Sequence, residues 1–391
     1  MREPMPVNLI DTLHSSQPNI QLHIQNWTRK SIDTPFGDPG ELALTSSPLL
    51  RTIHASVYDY RGDGKIDLQR AAFMRIVALA PNLESYSWSS RSTGGCVMQM
   101  LSRKQSQEQA RLRKEFDVDQ PVKKILKGIH VDHEVSLVKD QAGMVDLSKL
   151  ERLEGVHISR NIDVGLGDIF SSLKVLDIKV MVRRTELSPE SFQGFLCSLP
   201  SLEELSVSDG LKYINLGDLM SYHGPTLQTL CLHETETTDL QDPRRTLSID
   251  DLCLIRDSCP HLCSLGIDIS YIRADLQESE VHALLSTFGN IHSLTINYDL
   301  GIGLHSSFHQ TGSQYEGIKQ QIKALTDKDS ASAKLEAIWA EVAGPKLQQL
   351  LIQIGEQDRK IGKGLPAHWV HHERNMRAWY RMENGAVVAR K

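Results

Sequence analysis

No stretch of about 18 consecutive apolar residues occurs in this 391-residue chain, so no membrane span is expected. The opening Met1-Arg2-Glu3-Pro4-Met5-Pro6 lacks the apolar core of a secretory leader. Only 6 cysteines are present, and without a leader they read as reduced thiols rather than a disulfide framework. These absences together point to the cytoplasm or nucleus. Charge of one sign is not in excess either. The balance is 43 Lys plus Arg against 49 Asp plus Glu, mildly acidic, which argues against a dedicated nucleic-acid binder.

Catalytic motifs are also missing. Gly165-Leu166-Gly167 and Gly362-Lys363-Gly364 are bare glycine pairs without the surroundings of a phosphate loop. No Gly-x-Ser-x-Gly elbow is present, and no Ser/His/Asp set can be assembled. The segment from Asp59 to Arg70 imitates a calcium loop at Asp59, Asp63 and Gly64, but Arg61 and Arg70 stand where two ligands are needed. Cys253, Cys259, His261 and Cys263 fall outside the paired spacing of structural zinc and read as small core hydrophobes. The expectation is a non-enzyme with no catalytic, cofactor-binding or metal-binding residues.

What the chain does have is a repeat. Pro200-Ser201-Leu202-Glu203-Glu204-Leu205-Ser206-Val207 is the clearest copy. Pro225-Thr226-Leu227-Gln228-Thr229-Leu230-Cys231-Leu232 and Pro260-His261-Leu262-Cys263-Ser264-Leu265-Gly266-Ile267 follow it. The first apolar strand position can be traced through Leu22, Ile53, Tyr86, Ile129, Val156, Leu176, Leu205, Leu230, Leu265, Leu294 and Leu350. Such a period marks a solenoid of leucine-rich type. Helix signals lie between the strands. Ser188-Pro189 reads as a cap with proline at the first helical position. Ser248 to Asp251 and Asp275 to Glu278 are spaced as capping boxes. Phe73, Ile76, Val77 and Ala80 share one helical face, as do Val281, Leu284, Leu285 and Phe288. The expected fold is therefore α/β, an irregular leucine-rich-repeat horseshoe of about eleven turns, with inner parallel strands and outer helices. The solenoid is expected over 7–355, with a charged helical insertion near 100–127 and a loop and helix near 300–332. The remaining 356–391 reads as a helical cap or tail, with Trp369, His372, Met376, Trp379 and Tyr380 near one stripe.

Cys259-Pro260-His261-Leu262-Cys263-Ser264-Leu265 resembles the cysteine-containing leucine-rich repeats found behind F-boxes. With the Pro18-Asn19-Ile20-Gln21-Leu22 and Pro81-Asn82-Leu83-Glu84-Ser85-Tyr86 units, the chain looks like fungal F-box/leucine-rich-repeat proteins over roughly residues 7 to 355. That resemblance implies a non-enzymatic protein-binding module, similar to the substrate-recognition part of ubiquitin-ligase adaptors. No F-box is recognisable, since repeat-like sequence begins almost at Met1. Coupling to the ligase adaptor of an SCF complex would need that module upstream. A leucine-rich scaffold or regulator of the GTPase-activating kind, with no ubiquitin role, stays open beside it.

Between the apolar pair of each strand sits one residue facing the opposite side, the inner curve. Down the repeats these are His23, His54, Ser87, His130, His157, Asp177, Ser206, Cys231, Gly266, Thr295 and Leu351. Four of the first five are histidine, the side chain that titrates near neutrality. A protein partner on this face is expected to meet His23, His54, His130, Asp132, His157, Asp177, Lys179, Glu204 and His233.

Overall fold

The computed structural model describes residues 7–28, 39–59, 65–92, 123–131, 138, 140–159, 162, 164–181, 187–235, 245–270, 274–299, 336, 339–342, 346–354, 379–383 and 386–390. Eleven strands are hydrogen-bonded in chain order in one parallel sheet. They are β1 (Leu22–Ile24), β2 (Leu50–Asp59), β3 (Ser85–Ser92), β4 (Gly128–Val131), β5 (Arg152–Ile158), β6 (Val175–Val180), β7 (Glu204–Ser208), β8 (Thr229–His233), β9 (Ser264–Ser270), β10 (Ser293–Asp299) and β11 (Gln349–Ile354). Parallel neighbours need a crossover, and helices supply most of them. Helix α1 (Val7–Ser16) precedes β1. The crossovers are α2 (Pro39–Ser46), α3 (Lys65–Leu79), α4 (Pro189–Ser198), α5 (Leu216–His223), α6 (Ile249–Ser258) and α7 (Ala274–Leu285). Short 3-10 turns serve between β4 and β6. Strand, helix, strand is the leucine-rich unit, and the α/β repeat fold expected from the sequence is the one observed.

The chain forms two compact units: 1–158 with 165–175, and 159–164 with 176–391. In the first, Phe73 of α3 is fully buried against Trp27, Tyr86 and Trp88, with ring centroids 5.7, 5.9 and 5.1 Å away. Ile76, Val77 and Ala80 are buried on the same face, as their spacing requires. The Asn of the Pro-Asn-Leu turn reaches back one repeat: Asn82 Nδ2 donates to the Pro48 carbonyl at 2.7 Å.

From β7 to β11 the second unit keeps its leucines in register. Leu205, Leu230, Leu265 and Leu294 pair in turn across β7 to β10, and Leu294 pairs with Leu350. These leucines are at most 2% exposed, each burial contributing roughly 1.5–3 kcal/mol. Ser188 caps α4 through the Ser191 N–H, with proline in the first turn. Ser248 and Asp251 form a reciprocal capping box on α6. Helix α7 begins at Ala274, so Asp275 lies inside the first turn rather than ahead of it as a cap.

Other expectations are revised. In the first unit Ile129 pairs with Leu153, not with the Val156 that the repeat spacing selected. Lys124, in the stretch read as helical, makes an isolated parallel bridge with Val145. At the C-terminus Trp379 and Tyr380 are not on a helix. Strands β12 (Trp379–Glu383) and β13 (Ala386–Arg390) pair antiparallel, with Glu383 opposite Ala386. The intervening sequence, Asn384-Gly385, is the dipeptide most favoured for a tight hairpin, and it overrides the helical spacing of the aromatics. The rest of the two expected insertions and of the tail, including 100–122 and 300–335, lies outside the described residues.

Candidate interaction surface

Along each strand the side chains alternate between two faces. In the first unit Ile53, Tyr86, Ile129 and Leu153 face the core and are 0–3% exposed. Their neighbours face the other way, most of them half-buried, with Gly128 buried and His23 and Arg152 exposed, and the register sorts them into rows. One row is Thr52, Ser85, Gly128 and Arg152, with His23 opposite Thr52. The next is His54, Ser87, His130 and Glu154.

The histidines named from the sequence therefore do not form a single column. Two local irregularities separate them. Between β1 and β2 the register shifts, so that Leu22 meets Leu50 but His23 meets Thr52, and Arg51 is the extra residue. In β5, Gly155 takes a positive φ of 70° and stands between the core-facing Leu153 and Val156. One extra residue moves everything beyond it along the strand. His157 is thus displaced beyond Glu154, which takes the place opposite His130. A Cβ at Gly155 would lie 3.0 Å from the Val131 carbonyl oxygen and 3.1 Å from His130 Cε1, so this bulge is also where the His130 ring rests.

Polar contacts knit the rows together. His23 Nδ1 and Thr52 Oγ1 are 3.0 Å apart. His54 Nε2 and Ser56 Oγ are 3.1 Å apart, and Ser56 Oγ meets Ser89 Oγ at 2.9 Å. Burial first, and then the charge of His130, lowers the His54 pKa. At the strand starts Glu84 accepts from Lys127 at 2.8 Å and lies 3.7 Å from Arg51. The Lys127 bond is the main reason the Glu84 carboxyl sits below its ordinary range. Arg152 pairs with Glu154 at 2.9 Å. Asp132 lies outside the described residues.

In the second unit Asp177, Lys179, Glu204 and His233 all stand on the half-exposed face of β6, β7 and β8. They lead to carboxylates that the sequence reading passed over, Asp209 and Glu234 just past the ends of β7 and β8 and Asp268 within β9. Asp209, Glu234 and Asp268 are 4%, 7% and 0% exposed. Lys179 Nζ lies 3.5 Å from Asp209 Oδ2, and Asp209 Oδ1 accepts from the Thr235 N–H at 2.6 Å. Asp268 accepts from the Glu234 N–H at 2.5 Å, and its Oδ1 lies 2.9 Å from His233 Nδ1. Glu234 Oε1 takes the Leu211 N–H. Each buried acid thus receives donors from a neighbouring repeat, which is how a carboxylate tolerates burial. The signal was present as an acid one to two positions past a strand's apolar pair, in Val207-Ser208-Asp209 and Leu232-His233-Glu234.

Cys231 lies opposite Gly266, whose absent Cβ would come within 2.9 Å of Sγ. Burial, then Asp268 and Asp177, pushes its thiol up to about 11, so it is no nucleophile near neutrality. Cys259 is buried with its Sγ 3.5 Å from Met220 Sδ, and Cys263 Sγ donates to the His261 carbonyl. Among the described residues no group of three or more His, Cys, Asp or Glu is placed to hold a metal. Among those residues, too, no helix is long and apolar enough to cross a membrane.

No family model matches the chain, and no curated protein does. Among solved structures, that of the yeast Rad7–Elc1 complex aligns over 92% of this chain and 86% of that chain, at 12% identity and a TM-score of 0.39. A likeness this slight carries no argument about function.

Proposed function

We propose that this chain is a non-enzymatic protein-interaction module whose partner lies on the outward face of the strands. One observation supports the reading above others. Parallel sheets are normally covered on both faces and read as continuous apolar runs. Here β3, β7 and β8 alternate instead: Leu205 and Val207 are 0% exposed while Glu204, Ser206 and Ser208 are half-buried. A sheet face furnished with His, Ser, Thr, Asp and Lys side chains suits a wet, hydrogen-bonding protein interface. The likeness of the Cys259–Leu265 repeat to those behind F-boxes makes a ubiquitin-ligase target the specific version of this proposal.

The test is affinity capture with the full chain, followed by hydrogen-exchange mapping of the complex formed with the recovered partner. The expected outcome is protection of β2–β4 or β6–β9, and loss of the partner in a His54→Glu/His130→Glu variant that keeps its circular dichroism. Protection confined to the helices would overturn the proposal. Recovery of ligase adaptor and cullin subunits with the target supports the ubiquitin version, and their absence leaves a plain scaffold.

A further inference from the structure

Buried polar groups in folded proteins almost always have a partner, and each exception needs an explanation. Ser87 Oγ is such an exception: it is covered from solvent and has no hydrogen-bond partner among the described residues. Its place is specific. In the register Ser87 stands between His54 on β2 and His130 on β4, one strand spacing of about 4.8 Å from each. His54 directs Nε2 to Ser56 Oγ, which leaves Nδ1 as the ring nitrogen not engaged by that bond. His130 is seated by the Gly155 bulge. Two imidazoles and an unspent hydroxyl donor therefore stand side by side in one row of the sheet face.

The charges around that row decide what fits it. Arg51 and Lys127 flank Glu84; Glu151 lies beside Lys127; Arg152 pairs with Glu154. These six described groups balance, which leaves the histidines beside them, with His23 on β1 near Glu84. When both are protonated His54 and His130 repel each other, and the charge of His130 opposes that of His54. An anion between them removes the repulsion and gives Ser87 an acceptor.

We infer that His54, Ser87 and His130 form a receptor for a side-chain carboxylate, an Asp or Glu in an acidic extended segment of the protein partner. The inference rests on the interaction reading above and narrows it to one chemistry. Ser87 turns about χ1, a small rotation for so short a side chain, and donates to one carboxylate oxygen. The imidazolium rings of His54 and His130 donate to the carboxylate from either side. Such charge-assisted bonds strengthen as the rings take up protons. Binding is therefore coupled to proton uptake and favoured below neutrality.

The probe is an acetylated, amidated Glu-rich peptide, with a Gln-rich peptide of equal length as its control. Both are titrated calorimetrically into the full chain at about pH 5.8 and about pH 7.5. The Glu peptide should bind roughly tenfold more tightly at the lower pH, with proton uptake seen as a buffer-dependent heat, and the Gln peptide should not. Ser87→Ala should weaken binding at the lower pH roughly tenfold, as loss of a hydrogen bond to a charged group does, while Ser87→Thr retains it. His54→Gln/His130→Gln should abolish the pH dependence. The inference is overturned if the Glu peptide fails to bind, binds like its Gln control, or keeps its pH dependence in the double variant. If the native partner still protects β2–β4 after such a failure, the interaction reading stands and only the carboxylate assignment is lost.

Discussion

At the scale of single residues, buried polar groups help to join one repeat to the next. Asp268 is fully buried and serves two donors from the adjoining repeat, the Glu234 N–H and the His233 ring. Removing it strands both. Asp268→Ala should therefore cost about 2–4 kcal/mol, read as a lower denaturation midpoint with an unchanged m-value. An unchanged midpoint would show that Asp268 is dispensable to the fold. Leu205, by contrast, offers only apolar contact, and its neighbour in register on β8 is Leu230.

At the scale of elements, Leu205→Asp places an unpaired charge in the core shared by β7 and β8. Solenoid stability is a sum over repeats and their nearest-neighbour interfaces, so the damage should be graded. Amides of β7 and β8 should lose exchange protection first and those of β10 later, as hydrogen exchange with mass spectrometry would show. Uniform protection like the wild type would contradict the register. That register was legible in the sequence wherever the leucines repeat without a slip. Leu205, Leu230, Leu265, Leu294 and Leu350 were all found by spacing alone, and all pair as expected. Legibility failed at Arg51 and Gly155, because a single extra residue is invisible to a search for apolar positions yet rephases every side chain after it. His157 was misplaced for that reason. The buried acids Asp209 and Glu234 were missed because they lie past the strand ends, where pattern reading stops. The unspent hydroxyl of Ser87 depends on packing around it, which no one-dimensional pattern records.

At the scale of the whole molecule, proton linkage gives a direction. Burial lowers the pKa of His54 and, more simply, of His223, which is 0% exposed and held between the Leu202 N–H and the Leu196 carbonyl. Both titrate at the ordinary value of 6.5 when unfolded. Below that pH the unfolded chain binds more protons than the folded one, so stability falls as pH falls. A second loss follows near and below 4.5, where Glu84, and then Asp146 and Asp257 with their ordinary value of 3.8, give up carboxylate bonds that hold their pKa values down. The melting temperature should be flat just above neutrality and decline in two stages on acidification. A maximum at about pH 5 would contradict this. His223→Gln should lower stability at neutral pH and flatten the first stage.

The bulge in β5 has a further consequence, for the permitted lengths of the chain. Without Gly155, Leu153-Glu154-Val156-His157-Ile158 would alternate as an ordinary strand, every apolar residue inward. The chain carries one spare residue there. That makes position 155 a site where a one-residue deletion can be absorbed by the fold, while returning His157 to the row next to Glu154 and taking away the seat of His130. Relatives of this chain could therefore differ in length at this point without differing in fold, and would then present a different order of histidines to whatever they bind.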